Sequence, residues 1–177
     1  LDGGDPKSAG YCLMRQPWVS FHIGQPLREV LDVVNSNLVY CKKTNNGLAI
    51  NVLEGLKLLT DQLLNTPRSL AYKRSPESAK FVARCEQQGD LYGLGHYLVG
   101  ETRARLSCQD YEGALQSAEA ADKIVPYFAG HYELADHTFM LALTLAISLG
   151  STTTESESRL RIDNLLVKLR KWAQHSE

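Results

Sequence analysis

Residues 106–126 read "LSCQDYEGALQSAEAADKIVP". Asp110 is a helix-capping residue type, Tyr111 opens the apolar pattern, Ala114, Leu115 and Ala121 continue it, and Pro126 ends it. An earlier stretch, "HIGQPLREVL" from His22 to Leu31, has the same order: a Gln, a helix-start residue, a bulky apolar residue, an acidic residue and an apolar pair. Laying Gly24-Gln25-Pro26-Leu27 over Cys108-Gln109-Asp110-Tyr111 matches Pro26 with Asp110 as helix initiators and Leu27 with Tyr111 as apolar anchors. Each stretch follows one amphipathic segment and opens another. Both read as elbows of helix hairpins, one structural unit used at least twice.

Working outward from these elbows, the spacing predicts eight helices and no strand pair. The first runs from Pro6 to Ile23, capped by Asp5, and Gly24 ends it. The second opens at Pro26 and carries Val30, Leu31, Val34 and Leu38, with Lys42 and Lys43 in its last turn, where cations suit the helix dipole. "TNNG" (residues 44–47) is a turn, and the third helix carries Val52, Leu53, Leu56, Leu59 and Leu63. "NTPRSLAYKRSPES" (residues 65–78) is the one long polar link, with a basic cluster of Arg68, Lys73 and Arg74. It reads as a flexible connector, with a functional loop as the alternative. Ser75 and Pro76 start a fourth helix that stops near Gln87–Asp90. The fifth spans Leu91–Ser107, the sixth Tyr111–Val125 and the seventh His131–Leu149. After a turn over residues 150–157, the eighth carries Leu160 to Trp172. Short links force neighbouring helices antiparallel, and no hairpin buries its apolar face alone, so the hairpins must stack.

The residues Asp110, Tyr111, Glu112, Ala114, Leu115, Ala121 and Pro126 resemble a tetratricopeptide repeat, in which small residues let paired helices approach closely. The repeat is clearest over residues 91–126 and divergent: Gly100 is two positions early, and Arg105 stands where the pattern prefers an aromatic residue. The resemblance implies an all-α, right-handed superhelix of about four antiparallel hairpins over residues 1–177. A wider resemblance runs through residues 9–64, 110–149 and the final "LRKWAQHSE". It is to the helical middle region of large signalling kinases that also carry a serine/threonine-kinase-like domain, an AAA-type ATPase module, a GAF sensor domain and often a histidine kinase. That resemblance implies a cytoplasmic relay or docking segment with protein or peptide partners, including neighbouring domains. The missing initiator Met fits a piece of a longer chain. A stand-alone adaptor, a helical array of a transcriptional regulator and a phosphotransfer domain are the alternatives.

Composition narrows the field. The 177 residues are 44% hydrophobic and 22% charged with a net charge of −1, so no global field attracts nucleic acid or acidic membranes. The longest apolar run, Phe139–Gly150, is broken by Thr144 and Ser148 and reads as a buried helix rather than a membrane span. The four cysteines have no CxxC spacing and read as small buried hydrophobes, with a disulfide or redox role as the alternative. Trp18 and Trp172 read as core. "GGDPKS" lacks the second Gly of a phosphate loop and reads as a helix cap. His131 and His137 are six apart, not the i,i+4 of a metal pair. No catalytic residue, metal site or cofactor is expected. What remains is surface recognition on the first helix of each hairpin. Tyr92, His96 and Arg103 face outward by register with the second elbow, and Arg15 and Val19 by register with the first. Long polar side chains there suit charge-assisted hydrogen bonds to a peptide.

Overall fold

The structure, a computed structural model, describes residues 5–66, 72–128, 130–149 and 155–174. Gly3, Pro67, Arg68, most of the 150–157 turn and His175 therefore lie outside the described residues. Among the described residues the chain is wholly helical, without a strand: α1 Pro6–His22, α2 Leu27–Lys43, α3 Gly47–Asn65, α4 Pro76–Gln88, α5 Leu91–Ser107, α6 Tyr111–Asp122, α7 Tyr132–Ser148 and α8 Glu155–Ala173. No described helix is long and apolar enough to cross a membrane.

The elbows are built from one repeated device. Asn46 donates its backbone N–H to Cys41 O at 2.9 Å, closing α2, and its side chain accepts from Ala49 N, capping α3. Asp90 does the same between Cys85 O and Gly93 N, and Asp110 between Arg105 O and Gly113 N. The residue before each holds a left-handed backbone: Asn45, Gly89 and Gln109. This is the helix-closing motif in which the second residue beyond the C-cap bonds five residues back. One Asn or Asp thus satisfies the end of one helix and the start of the next.

The first elbow departs from this by one residue. Proline has no N–H to donate, so Pro26 cannot close α1. Gln25 does so instead, bonding Ser20 O at 3.0 Å, while Gly24 takes the left-handed backbone and Pro26 moves on to the N-cap position of α2. The two elbows share a device, but their left-handed residues are Gly24 and Gln109, which the sequence alignment sets one position apart. The nearer counterparts of residues 108–111 are 44–47 and 88–91. The end of α6 also shifts: it stops at Asp122, and Val125–Phe128 forms a 3₁₀ turn. The residue before a proline resists the α conformation, so the helix ends ahead of Val125-Pro126.

The chain divides into two compact units, Leu1–Tyr97 and Leu98–Glu177, with the division inside α5. In the first unit, Trp18 lies at the centre, fully buried. Its indole N–H donates to Val52 O at 3.4 Å, and its ring meets Phe21 edge-on at 5.8 Å. Met14, Val30, Val34, Leu53, Leu56 and Leu59 complete that core. In the second unit, Ala118 of α6, Leu141, Ala142 and Leu145 of α7 and Leu165 of α8 form the core, with Leu115 and Ile162 against it. Ala114 and Ala121 are fully buried too, as small residues at a close helix contact should be. Trp172 is only half-buried.

Arg105, the departure from the repeat pattern, pairs with Asp110 at 2.6 Å and with the buried Glu101 at 3.5 Å. Its guanidinium lies over Gly113, where an added Cβ would come within 1.9 Å of Arg105 Nη1 and 2.3 Å of the Asp110 carboxylate. Gly113 therefore gives the Arg105–Asp110 pair its present position, and a side chain there has to push the pair aside. A Gly113→Ala variant displaces both the ion pair and the α6 cap. It lowers stability by about 1–2 kcal/mol instead of giving the usual helix-propensity gain of about 1 kcal/mol. Gly47→Ala, whose Cβ meets nothing within 4 Å, is neutral or stabilising. Gln109→Gly relieves a left-handed backbone at φ 59° and stabilises by up to about 1 kcal/mol. Urea midpoints of the three variants test the ordering; a Gly113→Ala midpoint above wild type would sink it.

Candidate functional site

The residues singled out for outward recognition take different places. Val19 is exposed on α1, and Arg15 beside it is half-buried. Tyr92 is half-buried. His96 is not outward-facing: it is 1% exposed, with its Nδ1 2.9 Å from Tyr92 O, its ring 4.4 Å from the Tyr92 ring and 5.6 Å from Trp18. An imidazole bonded to the backbone carbonyl one turn earlier leaves little unsatisfied polarity, so it packs among aromatic rings as a core residue. Arg103, in the second unit, is paired with Asp136 of α7, joining α5 to α7.

The second unit contains two further polar clusters. Glu101 accepts from Ser117 Oγ at 2.8 Å and is paired by Arg105, so this buried carboxylate is compensated from both α5 and α6. On the other side, Asp122 of α6 bridges His137 of α7 at 3.1 Å and Arg161 of α8 at 3.0 Å, and Arg161 also holds Glu119 at 2.9 Å. Both clusters tie helices together. Neither sets a nucleophile beside an exposed base, and no group of three His, Cys, Asp or Glu able to hold a metal occurs among the described residues.

A concavity lies elsewhere. In the first unit, α2, α3 and α4 enclose an open groove of about 620 Å³. Its apolar part is Leu38 and Val39 from α2, Leu58 from α3 and Phe81 from α4. Val39 stands 71% exposed. Three helices meet in a charged cluster at one end. Glu54 of α3 lies 2.9 Å from Arg84 of α4 and 3.7 Å from Lys42 of α2, and the Arg84 guanidinium also sits 5.3 Å from the Phe81 ring. Lys57 and Lys80 add further cations to the lining, and Glu77 marks the opposite end.

Sequence reading placed recognition on the first helix of each hairpin and missed this groove. The available signal was Val39, an apolar residue off the inward stripe of α2 between Asn35 and Lys42. Beyond it, the groove depends on which helices become neighbours.

No family model matches the chain, and no curated protein or solved structure matches it significantly.

Two groups carry solution predictions. Burial pushes the His137 imidazole below its ordinary value near 6.5, outweighing the Asp122 carboxylate that pulls the other way. Its Nδ1 is buried without a hydrogen-bond partner among the described residues. The unfolded chain therefore binds this proton more readily than the folded one. The stability contributed by neutral His137 is full above about pH 6.5 and is lost as pH falls below it. Urea midpoints of wild type decline from about pH 7 to about pH 5.5, and His137→Gln shows a flatter decline; parallel declines would refute the assignment. The thiols differ as well. Burial pushes Cys85 up to about 11, with Asp90 adding to the shift, and raises Cys41 and Cys108. Cys12 is exposed. Thiol titration of the folded protein near pH ~8 should modify Cys12 first, leaving Cys41 and Cys85 unreactive until urea is added.

Proposed function

We propose that this chain is a non-catalytic interaction and relay module, a tetratricopeptide-like array of helix hairpins within a cytoplasmic signal-transduction kinase. In that setting it docks a protein or peptide segment, or couples nucleotide-binding domains to sensor and kinase domains. The observation that carries the reading is the open α2–α3–α4 groove, with an apolar lining and a charged rim. Such a surface suits recognition by side-chain packing with a few polar anchors. The buried polar clusters support it from the other direction, since their charged groups are occupied in holding helices together. His96 and His137 are buried, which counts against those two imidazoles as phosphoacceptors.

An immunoblot of the source cells with an antibody raised against this chain tests the parentage. A band at the mass of a large multidomain protein supports the kinase setting. A band near the chain's own mass removes it and leaves a free-standing adaptor. Acid-labile phosphate on a His of the purified chain would overturn the non-catalytic reading.

A further inference from the structure

We infer that the α2–α3–α4 groove takes an acidic amphipathic helix, an inference that rests on the interaction-module reading and names its partner chemistry. The shape of the groove argues for a helix. Its two walls have the same spacing: residues 35, 38, 39 and 42 of α2, and residues 77, 80, 81 and 84 of α4. Each set is i, i+3, i+4, i+7, one face of two helical turns, or about 10 Å of rise. Two faces of that length line a slot that a docked helix fills with residues at the same spacing. Val39 is an apolar side chain with nothing over it and Phe81 is closed beneath, so apolar anchors have a place to go.

The charge argues for acid. Among the described residues the lining holds four cations, Lys42, Lys57, Lys80 and Arg84, against two carboxylates, Glu54 and Glu77, a surplus of two. Asp61 pairs with Lys57 at 2.8 Å and reduces that surplus to one. The distribution matters more than the sum. Glu54 is shared between Lys42 and Arg84 from opposite walls, so the cationic end has two cations for one acid. A carboxylate docked there gains charge-assisted hydrogen bonds, while a lysine meets repulsion in a partly desolvated slot. Glu77 at the other end gives the docked helix a direction: carboxylates lie over Lys42 and Arg84, and a neutral or basic residue lies over Glu77.

The test uses the full chain and a fluorescein-labelled helical peptide with Leu at i, i+3, i+4 and i+7 flanked by Glu, beside a twin with every Glu changed to Lys. By fluorescence anisotropy the acidic peptide binds and weakens with added salt, and its Lys twin binds at least about tenfold more weakly. Val39→Asp and Lys80→Glu, both at exposed positions, each weaken the acidic peptide about tenfold or more with an unchanged circular dichroism spectrum. Equal binding of the twins, no binding of either, or indifference to Val39→Asp overturns the proposal. Amide shift mapping separates this failure from that of the wider reading. Shifts on the exposed α7 stripe of Phe139, Leu143 and Ile147 instead of α2 and α4 would overturn the groove and leave an interaction module standing. Groove binding together with a small immunoblot band would do the reverse to the kinase setting.

Discussion

Most of the architecture hangs on a hydrogen-bond pair made by one residue at each tight elbow. Asn46, Asp90 and Asp110 each give a backbone N–H to the helix behind and accept a backbone N–H from the helix ahead. Helix ends leave four unsatisfied groups apiece, and a link of two or three residues has no room for separate caps. A short polar side chain that bonds in both directions removes that conflict, and consecutive helices can then fold back with almost no linker. Where proline occupies the site, the roles split between Gln25 and Pro26 and the link lengthens by one residue.

The Glu101–Arg105–Asp110 cluster builds on the same elbow. An aromatic residue at 105 would fill space by packing alone. Arg105 instead ties a buried carboxylate of α5 to the N-cap of α6, and Gly113 provides the clearance. The second unit therefore holds its helices with ion pairs as well as apolar contacts. Arg103–Asp136 and Asp122–Arg161 extend the pattern to α7 and α8, and the neutral His137 imidazole adds a hydrogen bond to Asp122. The charged residues of the first-unit groove behave differently: they sit at an open rim, and only Glu54 draws two of them together.

The helices themselves were legible in the chain. Asp5, Ser75 and Asp110 cap the helices that their side chains predict. Six of the eight described helices begin and end within two residues of where apolar spacing and breakers put them; α6 stops three residues early at the Val125–Pro126 step, and α8 starts at Glu155, inside the stretch read as a turn over residues 150–157. The all-helical class follows from these local facts. The candidate site was legible only in fragments. Val19 is exposed as its register requires. His96 misled because its position on α5 matched an outward register, and register carries no information about a ring that satisfies itself on its own backbone and packs on Trp18 and Tyr92.

By itself, the amino-acid sequence determined where helices start, where they stop and which links are too short to do anything but reverse direction. Those are decided by hydrogen bonds and steric limits within a few residues, which spacing exposes directly. Tertiary structure alone decided that Lys42, Glu54 and Arg84, drawn from three helices, share one cluster. It decided likewise that α2 and α4 stand apart with Val39 uncovered between them. Contacts of that kind depend on rotation and spacing of whole helices, set by the summed packing of the core.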